Sequence, residues 1–345
     1  MPKKGTRIKK GKRIHQSNNS NMQTIITTEK NTNVFSTVAG EWFENMKLQT
    51  KESTQTKYYN LLMQYILPSY GEQKLENITY DVVESYSSFL LTAAGKTGGG
   101  LSPKTVNDVM VILRSILRFA TRKGIYVPCD GSSVQVKRAT KPIRVLSQYE
   151  QEQLCKHILA ESEGHKIGIL ICLFTGLRVG EICALRWEDI SFEEQTIHVH
   201  HTLQRLQNKS NDGTKTKIVI TTPKSTSSIR TIPIPDELLA ILAAYQKSPT
   251  GFVLTNDEMQ FVEPRTMQNQ FKYALKESGI EEVNFHVLRH TFATRCIEVG
   301  FDVKSLSEIL GHASVNITMN RYVHPTLEMK KENMKKLAPF LDIKY

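Results

Sequence analysis

Little of this 345-residue chain is apolar for long. The longest apolar run, IGILICLF (167–174), falls far short of the roughly 20 residues that a membrane-spanning helix needs. The basic N-terminus is followed by HQSNNSNMQT, with no apolar stretch, so it does not read as a secretory signal. Cysteine is sparse and unpatterned. Cys129, Cys155, Cys172, Cys183 and Cys296 form no C-x-x-C pair, which argues against a disulfide framework or a zinc ribbon. They are expected to be reduced thiols that pack as small hydrophobes. Two nucleotide and acyl-transfer signatures are missing: there is no G-x-x-x-x-G-K-[ST] phosphate loop and no G-x-S-x-G elbow. These absences predict a soluble cytoplasmic protein that needs neither membrane nor ATP.

Negative charge is scarce in one part of the chain only. Residues 1–140 hold 20 Lys and Arg against 10 Asp and Glu, while residues 141–345 hold 25 against 24. Nearly all of the formal net charge of +11 therefore lies ahead of residue 141. Such asymmetry points to a polyanionic partner, most often nucleic acid. The first 16 residues, MPKKGTRIKKGKRIHQ, carry seven Lys and Arg and no acid, and read as a disordered basic arm within residues 1–35.

From residue 36 the pattern becomes helical. VFSTVAGEWFENMK places Val38, Trp42, Phe43 and Met46 at helical spacing. TQTKYYNLLMQYILPSYG predicts a second helix that stops at Pro68 and Gly71, and ITYDVVESYSSFLLTAA a third, capped by Thr79. Ser102 and Pro103 are a cap and a first-turn proline for a fourth helix. Its apolar stripe is Val106, Val109, Met110, Leu113, Ile116, Leu117 and Ala120. Arg114, Arg118 and Arg122 form a row on another face, with Lys123 beside it. No acid later than Asp108 on the helix pairs with that row, and stacked like charges are mildly destabilising, so an external anion is expected there. Lys104, in the first turn, joins the candidate DNA contacts.

PCDGSSVQVKRATKPIR (128–144) reads as linker within residues 128–145, and the helical domain as 36–127. A capping box, Ser147 with Glu150, opens a second domain over 146–345. There HKIGILICLFTG and LRVGEICALRW predict helices, and TIHVHHTLQR, KIVITTPK and SIRTIPI predict strands. PDELLAILAAYQK, PRTMQNQFKYALKES, HVLRHTFATRCIEVG, KSLSEILG and SVNITMNRY predict further helices.

FHVLRHTFAT (285–294) sets His286, Arg289 and His290 on an enclosed helix whose packed face is Leu288, Phe292, Cys296 and Val299. HVLRH has two histidines at i, i+4, as in H-E-x-x-H, but Val287 stands where the catalytic Glu would be, so no metal is expected. A buried guanidinium costs several kcal/mol unless it is paired. No acid lies at i±3 or i±4 of Arg289, so its partner must come from elsewhere in the fold or be an anionic ligand. Arg178, just after Gly176 at a helix start, poses the same question.

In that order, TGLRVGEICALRWEDI, TPKSTSSIRTIPI, HVLRHTFATR and LGHASVNITMNRY resemble the tyrosine recombinase (phage integrase) family. The resemblance covers about residues 146–345, and more weakly the helical 36–127 segment; the last two boxes are similar to integrases of bacterial conjugative transposons and phages. It implies a mainly α fold with a small antiparallel β-sheet: a helical core-type DNA-binding domain and a mixed α/β catalytic domain forming a C-shaped clamp. It implies that Arg178 and Arg289 grip the scissile phosphate and that Lys224 is a general acid. His286 and His312 would assist, and Tyr322 would be the nucleophile. It further implies strand exchange without metal, ATP or other cofactor, by a homo-tetramer on double-stranded DNA with inverted core sites, through a Holliday junction. Directionality or DNA-bending proteins are possible accessories. Glu181 is expected to buttress the site, His290 to be a structural, hydrogen-bonded residue, and Trp187 and Asp189 to serve packing and turn. His198, His200 and His201 have no assigned role. Only about 35 residues precede the first helix, where many such integrases carry a folded arm-binding domain. After Tyr322, PTLEMKKENMKKLAPFLDIKY reads as a helix with Leu327, Met334 and Leu337 as apolar contacts, packing either on a neighbouring subunit or on its own domain. Two rivals remain open at this point: a type IB topoisomerase and a catalytically silent DNA-binding regulator.

Overall fold

A computed structural model describes residues 33–95, 98–136, 143–160, 166–208, 216–223, 226–323, 330–331 and 334–335. The chain divides into two compact units, 1–141 and 142–345, and the division falls inside the segment read as linker. Most of the basic arm, the tip of the expected hairpin and most of the segment after Tyr322 lie outside the described residues.

The first unit is helical: α1 (Phe35–Lys47), α2 (Glu52–Leu61), α3 (Leu67–Tyr70), α4 (Tyr80–Thr92) and α5 (Pro103–Arg122). The seven predicted stripe residues of α5 are all buried, and they form one core with Phe35, Trp42, Phe43, Leu62, Ile66 and Tyr70. Trp42 satisfies its indole N–H on the Ser115 hydroxyl at 3.0 Å, so its large ring is buried without an orphaned donor. Pro68 does not stop the second helix as its chemistry predicts. The chain widens into a π-helical turn, Leu62–Ile66, and α3 continues through the proline. The wide turn accommodates a residue that lacks an N–H and whose ring crowds the preceding turn. Thr79 sits at the N-cap of α4, but its hydroxyl makes no cap bond, whereas Ser102 accepts from the Thr105 N–H as expected.

The row of cations on α5 is not one uniform face. Arg114 donates to the Gly131 carbonyl at 2.9 Å and to the Val134 carbonyl at 2.5 Å. Val134 is buried in the helical core, with Cys129 and Val136 packed against it. Residues 128–136 are thus part of the first unit and not free linker. The acids missing from α5 itself come from other segments: Asp130 lies 3.6 Å from Arg118, and Glu41 pairs with Lys123.

The second unit opens with α6 (Gln148–Ala160), whose Ser147–Glu150 box is made in both directions. There follow α7 (Ile167–Thr175), α8 (Val179–Ala184), β1 (Ile190–Ser191), β2 (Thr196–Val199), β3 (Thr202–Gln207), β4 (Thr216–Thr221) and β5 (Arg230–Pro233). Helices α9 (Asp236–Tyr245), α10 (Pro264–Glu277), α11 (His286–Glu298), α12 (Val303–Leu310) and α13 (Val315–Tyr322) complete it. The stretch read as one strand, TIHVHHTLQR, breaks at His200–His201. β2 pairs antiparallel with β1 and β5, while β3 pairs with β4 in a separate two-stranded ribbon. Arg205 at the ribbon anchors it to Glu263, the residue capping α10, with Nη2 at 2.6 Å from Oε1.

α11 packs on α7, and its buried residues are Val287, Leu288, Arg289, Thr291, Ala293 and Cys296. Val299, expected on the packed face, is 74% exposed because the helix ends there. Gly176 and Gly311 close α7 and α12 in the left-handed region, at φ 67° and 64°. A Cβ at Gly176 would come within 2.6 Å of the Phe292 ring. Both residues therefore need glycine for conformation as well as for space.

Replacing Arg114 by alanine strands the Gly131 and Val134 carbonyls. The expected loss is about 1–3 kcal/mol from the first unit, read as a lower midpoint in thermal or urea unfolding. Arg122→Ala, on the exposed part of the row, should leave the midpoint within the scatter; equal midpoints for the two variants would contradict this division of labour.

Candidate active site

One helix end gathers the site. The last carbonyls of α12 and its glycine cap each receive a different arginine. Arg230 Nε donates to Ile309 O at 2.5 Å, Arg289 Nη2 to Leu310 O at 2.6 Å, and Arg178 Nη2 to Gly311 O at 3.2 Å. These carbonyls are acceptors that an α-helix leaves unpaired at its C-terminus, where the helix dipole also favours cations. Arg289, 1% exposed, places its other fork on the Gly176 carbonyl at 2.7 Å, the end of α7. Its partners are thus two helix ends supplied by the fold, with no carboxylate hydrogen-bonded to it among the described residues.

Glu181 is the carboxylate of the cluster, and it is buried. It takes Arg178 Nη1 at 2.7 Å and Arg230 Nη2 at 3.0 Å, and its Oε2 also accepts the Arg178 backbone N–H at 3.0 Å. Burial pushes this carboxyl up, but Arg230 and Arg178 outweigh it, and it settles below its ordinary value. Three guanidiniums against one carboxylate leave a formal excess of two positive charges. Burial, and then Arg178, pulls the Arg289 guanidinium down to about 9, still charged at neutral pH.

Tyr322 ends α13 and is 7% exposed. Its Oη lies 2.8 Å from Nδ1 of His290. The other buried residue of α13, Thr318, sets its hydroxyl 2.8 Å from Nδ1 of His312. His286 stands edge-on to His290, ring centroids 4.5 Å apart. Burial raises the Tyr322 phenol above its ordinary value, although Arg289 and Arg321 pull against it. All three histidines are held down to about 4 by burial and by neighbouring positive charge. At neutral pH they are uncharged, so Nδ1 or Nε2 of each can accept a proton.

The structure therefore brings Arg178, Glu181, His286, Arg289, His312 and Tyr322 into one connected set. Lys224 lies outside the described residues. Lys104, Arg114, Arg118, Arg122 and Lys123 belong to the first unit. Arg114 is committed to backbone carbonyls, while Lys104, Arg118, Arg122 and Lys123 are exposed. An open hollow there is lined by Ser115, Arg118, Thr121, Arg122 and Asp130. Among the described residues no group of three or more His, Cys, Asp or Glu is placed to hold a metal ion, and no helix is long and apolar enough to cross a membrane. Trp187 is buried with its N–H on Asn256, and Asp189 accepts the Arg186 N–H.

Sequence reasoning missed Arg230. It sits in register with Ile232 and Ile234, on the buried face of β5, and a cation at a core position of a strand is the signal that could have found it. It also read His290 as structural. The residue is hydrogen-bonded within the fold, but its partner is Tyr322, a contact that no local pattern encodes.

A net-positive, largely buried guanidinium cluster beside a held tyrosine is suited to a phosphodiester and a tyrosine nucleophile. The chain belongs to the phage integrase family, whose model matches residues 144–329, and the family's N-terminal SAM-like domain matches residues 34–91. A tyrosine recombinase XerC-like protein of Caldanaerobacter subterraneus subsp. tengcongensis is 28% identical over 307 residues, 82% of this chain and 76% of that protein. Among solved structures, the Tn1549 transposon integrase in complex with a circular intermediate DNA matches with TM-score 0.70 at 21% identity, over 87% of this chain and 99% of that one. The lambda integrase tetramer bound to a Holliday junction matches with TM-score 0.59 at 16% identity, over 90% and 88%. The chain is thus a tyrosine-type site-specific recombinase by family, with their fold.

Two outcomes follow from this electrostatic design. Arg230→Met leaves a buried carboxylate short of a partner and should cost about 3 kcal/mol, the low end for a broken buried pair. That is a drop of roughly 6–12 °C in Tm for a domain of this size, and an unchanged Tm would refute the role. The histidines set a pH dependence. Their folded values, about 4, lie below the ordinary 6.5, so between these limits the unfolded chain binds more protons. Stability is full above about pH 6.5 and falls as pH drops toward 4. Discounted for partial exposure, His290 and His312 together should account for roughly 1–2 kcal/mol, with His286, the most exposed of the three, adding least. Denaturant titrations of wild type and of His312→Asn at several pH values check this; identical slopes would refute it.

Proposed function

We propose that this protein integrates and excises a mobile element by cutting and rejoining DNA at paired sites through a 3′-phosphotyrosyl intermediate and a Holliday junction. The observation that carries the reading is the convergence of Arg178, Arg230 and Arg289 on the end of α12, next to the helix that carries Tyr322. In this reading Arg178 and Arg289 bind the non-bridging oxygens of the scissile phosphate, and their charge is worth most as negative charge builds in the transition state. Tyr322 attacks the phosphorus, and the covalent link conserves the bond for rejoining. Lys224 protonates the departing 5′ oxygen. His286 and His312 hydrogen-bond the phosphate or assist proton transfer, and Glu181 holds Arg178 in place. Lys104, Arg118, Arg122 and Lys123 contact the DNA backbone, with Arg114 supporting them through the 128–136 segment.

Four copies act together on inverted core sites, a reading supported by the likeness to the lambda integrase tetramer on a Holliday junction. Likeness to a transposon integrase supports a mobile element as the cargo. Directionality or DNA-bending proteins would act as accessories.

The test is a nicked suicide duplex carrying the direct repeat that flanks the gene. A covalent protein–DNA adduct should form in EDTA and vanish in Tyr322→Phe. Arg178→Ala and Arg289→Ala should each slow it on the order of 10²–10³-fold. Absence of an adduct on that duplex would sink the proposal. Relaxation of any supercoiled plasmid, without paired sites, would point to a topoisomerase instead.

A further inference from the structure

Resting on the recombinase reading, we infer that His290 is the general base that takes the proton from Tyr322 Oη when the tyrosine attacks the phosphate. The geometry is direct: Oη and Nδ1 are 2.8 Å apart, within proton-transfer reach. Both groups are held. Tyr322 is buried at the end of α13, and the same helix is tied one turn earlier by Thr318 to His312. His290 is held by α11, with the His286 ring edge-on against it. No other described side chain is recorded at hydrogen-bond distance from Oη with a nitrogen able to accept its proton; the remaining polar neighbour on α13, Arg321, is a donor.

The phenol needs such a partner. Burial keeps it protonated at neutral pH, and a protonated phenol is a poor nucleophile. His290 is uncharged in the free protein, and the base role assigns the ring proton to Nε2, with Oη–H donating to Nδ1. In the cleavage step the Oη–H bond breaks and its proton goes to Nδ1. A bond forms between Oη and phosphorus, the bond from phosphorus to the 5′ oxygen breaks, and that oxygen takes a proton from Lys224. Rejoining runs the same transfers backwards, so His290 and Lys224 end as they began.

The groups facing His290 are His286 and Arg289 on its own helix, and Arg321 and Tyr322 on α13. Burial, and then Arg321 and Arg289, disfavour an imidazolium there. A bound phosphate diester offsets their charge and makes His290 a stronger base when there is a bond to attack. Base strength thereby becomes conditional on substrate.

The experiment measures single-turnover adduct formation on the nicked duplex from about pH 6 to about pH 9.5. His290→Asn is the variant, because its amide oxygen can keep the hydrogen bond at the Nδ1 position and cannot take a proton. The base role predicts a loss of roughly 10²–10⁴-fold at pH 7. The variant's rate should then climb about tenfold per pH unit as the phenol ionises unaided, so the gap to wild type narrows. A near-wild-type rate at pH 7, or a loss of the same factor at every pH, would overturn it in favour of a structural role. A second readout needs no variant enzyme to fold: ¹⁵N spectra of the wild-type imidazoles should place the His290 proton on Nε2, and a proton on Nδ1 would overturn the assignment. Wild-type protein that forms no adduct at all would defeat the recombinase reading itself, an outcome distinct from either of these.

Discussion

Everything in the second unit that matters for chemistry depends on where α12 ends. An α-helix leaves its last carbonyls without intrahelical donors. Here Ile309 O, Leu310 O and Gly311 O are satisfied by Arg230, Arg289 and Arg178 in turn. These arginines come from β5, α11 and the start of α8, segments far apart in the chain. One helix terminus therefore sets the register among them. The left-handed cap at Gly311 is what permits the approach, since a Cβ there would stand 3.0 Å from Ser227 O and 3.1 Å from Arg230. The arrangement also resolves the energetic difficulty of burying guanidiniums. Planar donors that keep their charge are spread over neutral but oriented carbonyls, with Glu181 as the single counter-ion in hydrogen-bond contact among the described residues, so the cluster is satisfied without being neutralised.

Much of this was legible in the sequence, and the boundary of legibility is physical. The stripe of α5, the Ser102 and Ser147 caps and the order of the helices follow from period, propensity and capping, all of which are local. Arg178, Arg289, His312 and Tyr322 could be picked out because motifs are local strings too. The fate of a side chain's hydrogen bonds is not local. Arg114 and Arg118 looked alike on one face of α5, yet one is pinned to Gly131 and Val134 and the other faces Asp130 at 3.6 Å. His290 looked like a structural, hydrogen-bonded residue beside a functional neighbour, and its partner lies 32 positions away. Pro68 and the break at His200–His201 failed for a related reason. Tertiary packing favoured a widened helical turn in one case, and in the other a change of sheet that period-two alternation cannot announce.

The division between the units has a parallel in their charge. The first unit's cations are mostly exposed or paired at the surface, where each contributes little to stability and acts mainly through its field on a polyanion. In the second unit the three arginines at the end of α12 are buried or half-buried, and their positions are set by carbonyls and by Glu181. The first arrangement suits many interchangeable contacts along a backbone, the second a single phosphorus at a defined place. A chain that must hold long DNA and react at one bond needs both, and the charge asymmetry in the sequence records only the first.

Burial first, and the buried cluster's charge second, keep three histidines uncharged in so polar a site. Each is near arginines that carry fixed charge, and an imidazolium there would add to an excess of positive charge already in place. A phosphate diester, with its single negative charge, halves that excess. In the proposed reading, as its charge is taken up by Arg178 and Arg289, the penalty on an imidazolium falls, and proton uptake by the site becomes coupled to substrate binding. The free protein then holds the buried Tyr322 phenol in hydrogen-bond contact with one uncharged imidazole, that of His290. In the proposed reading Arg289, which would bind the phosphate, is also one of the groups that, after burial, keep His290 from taking up a proton.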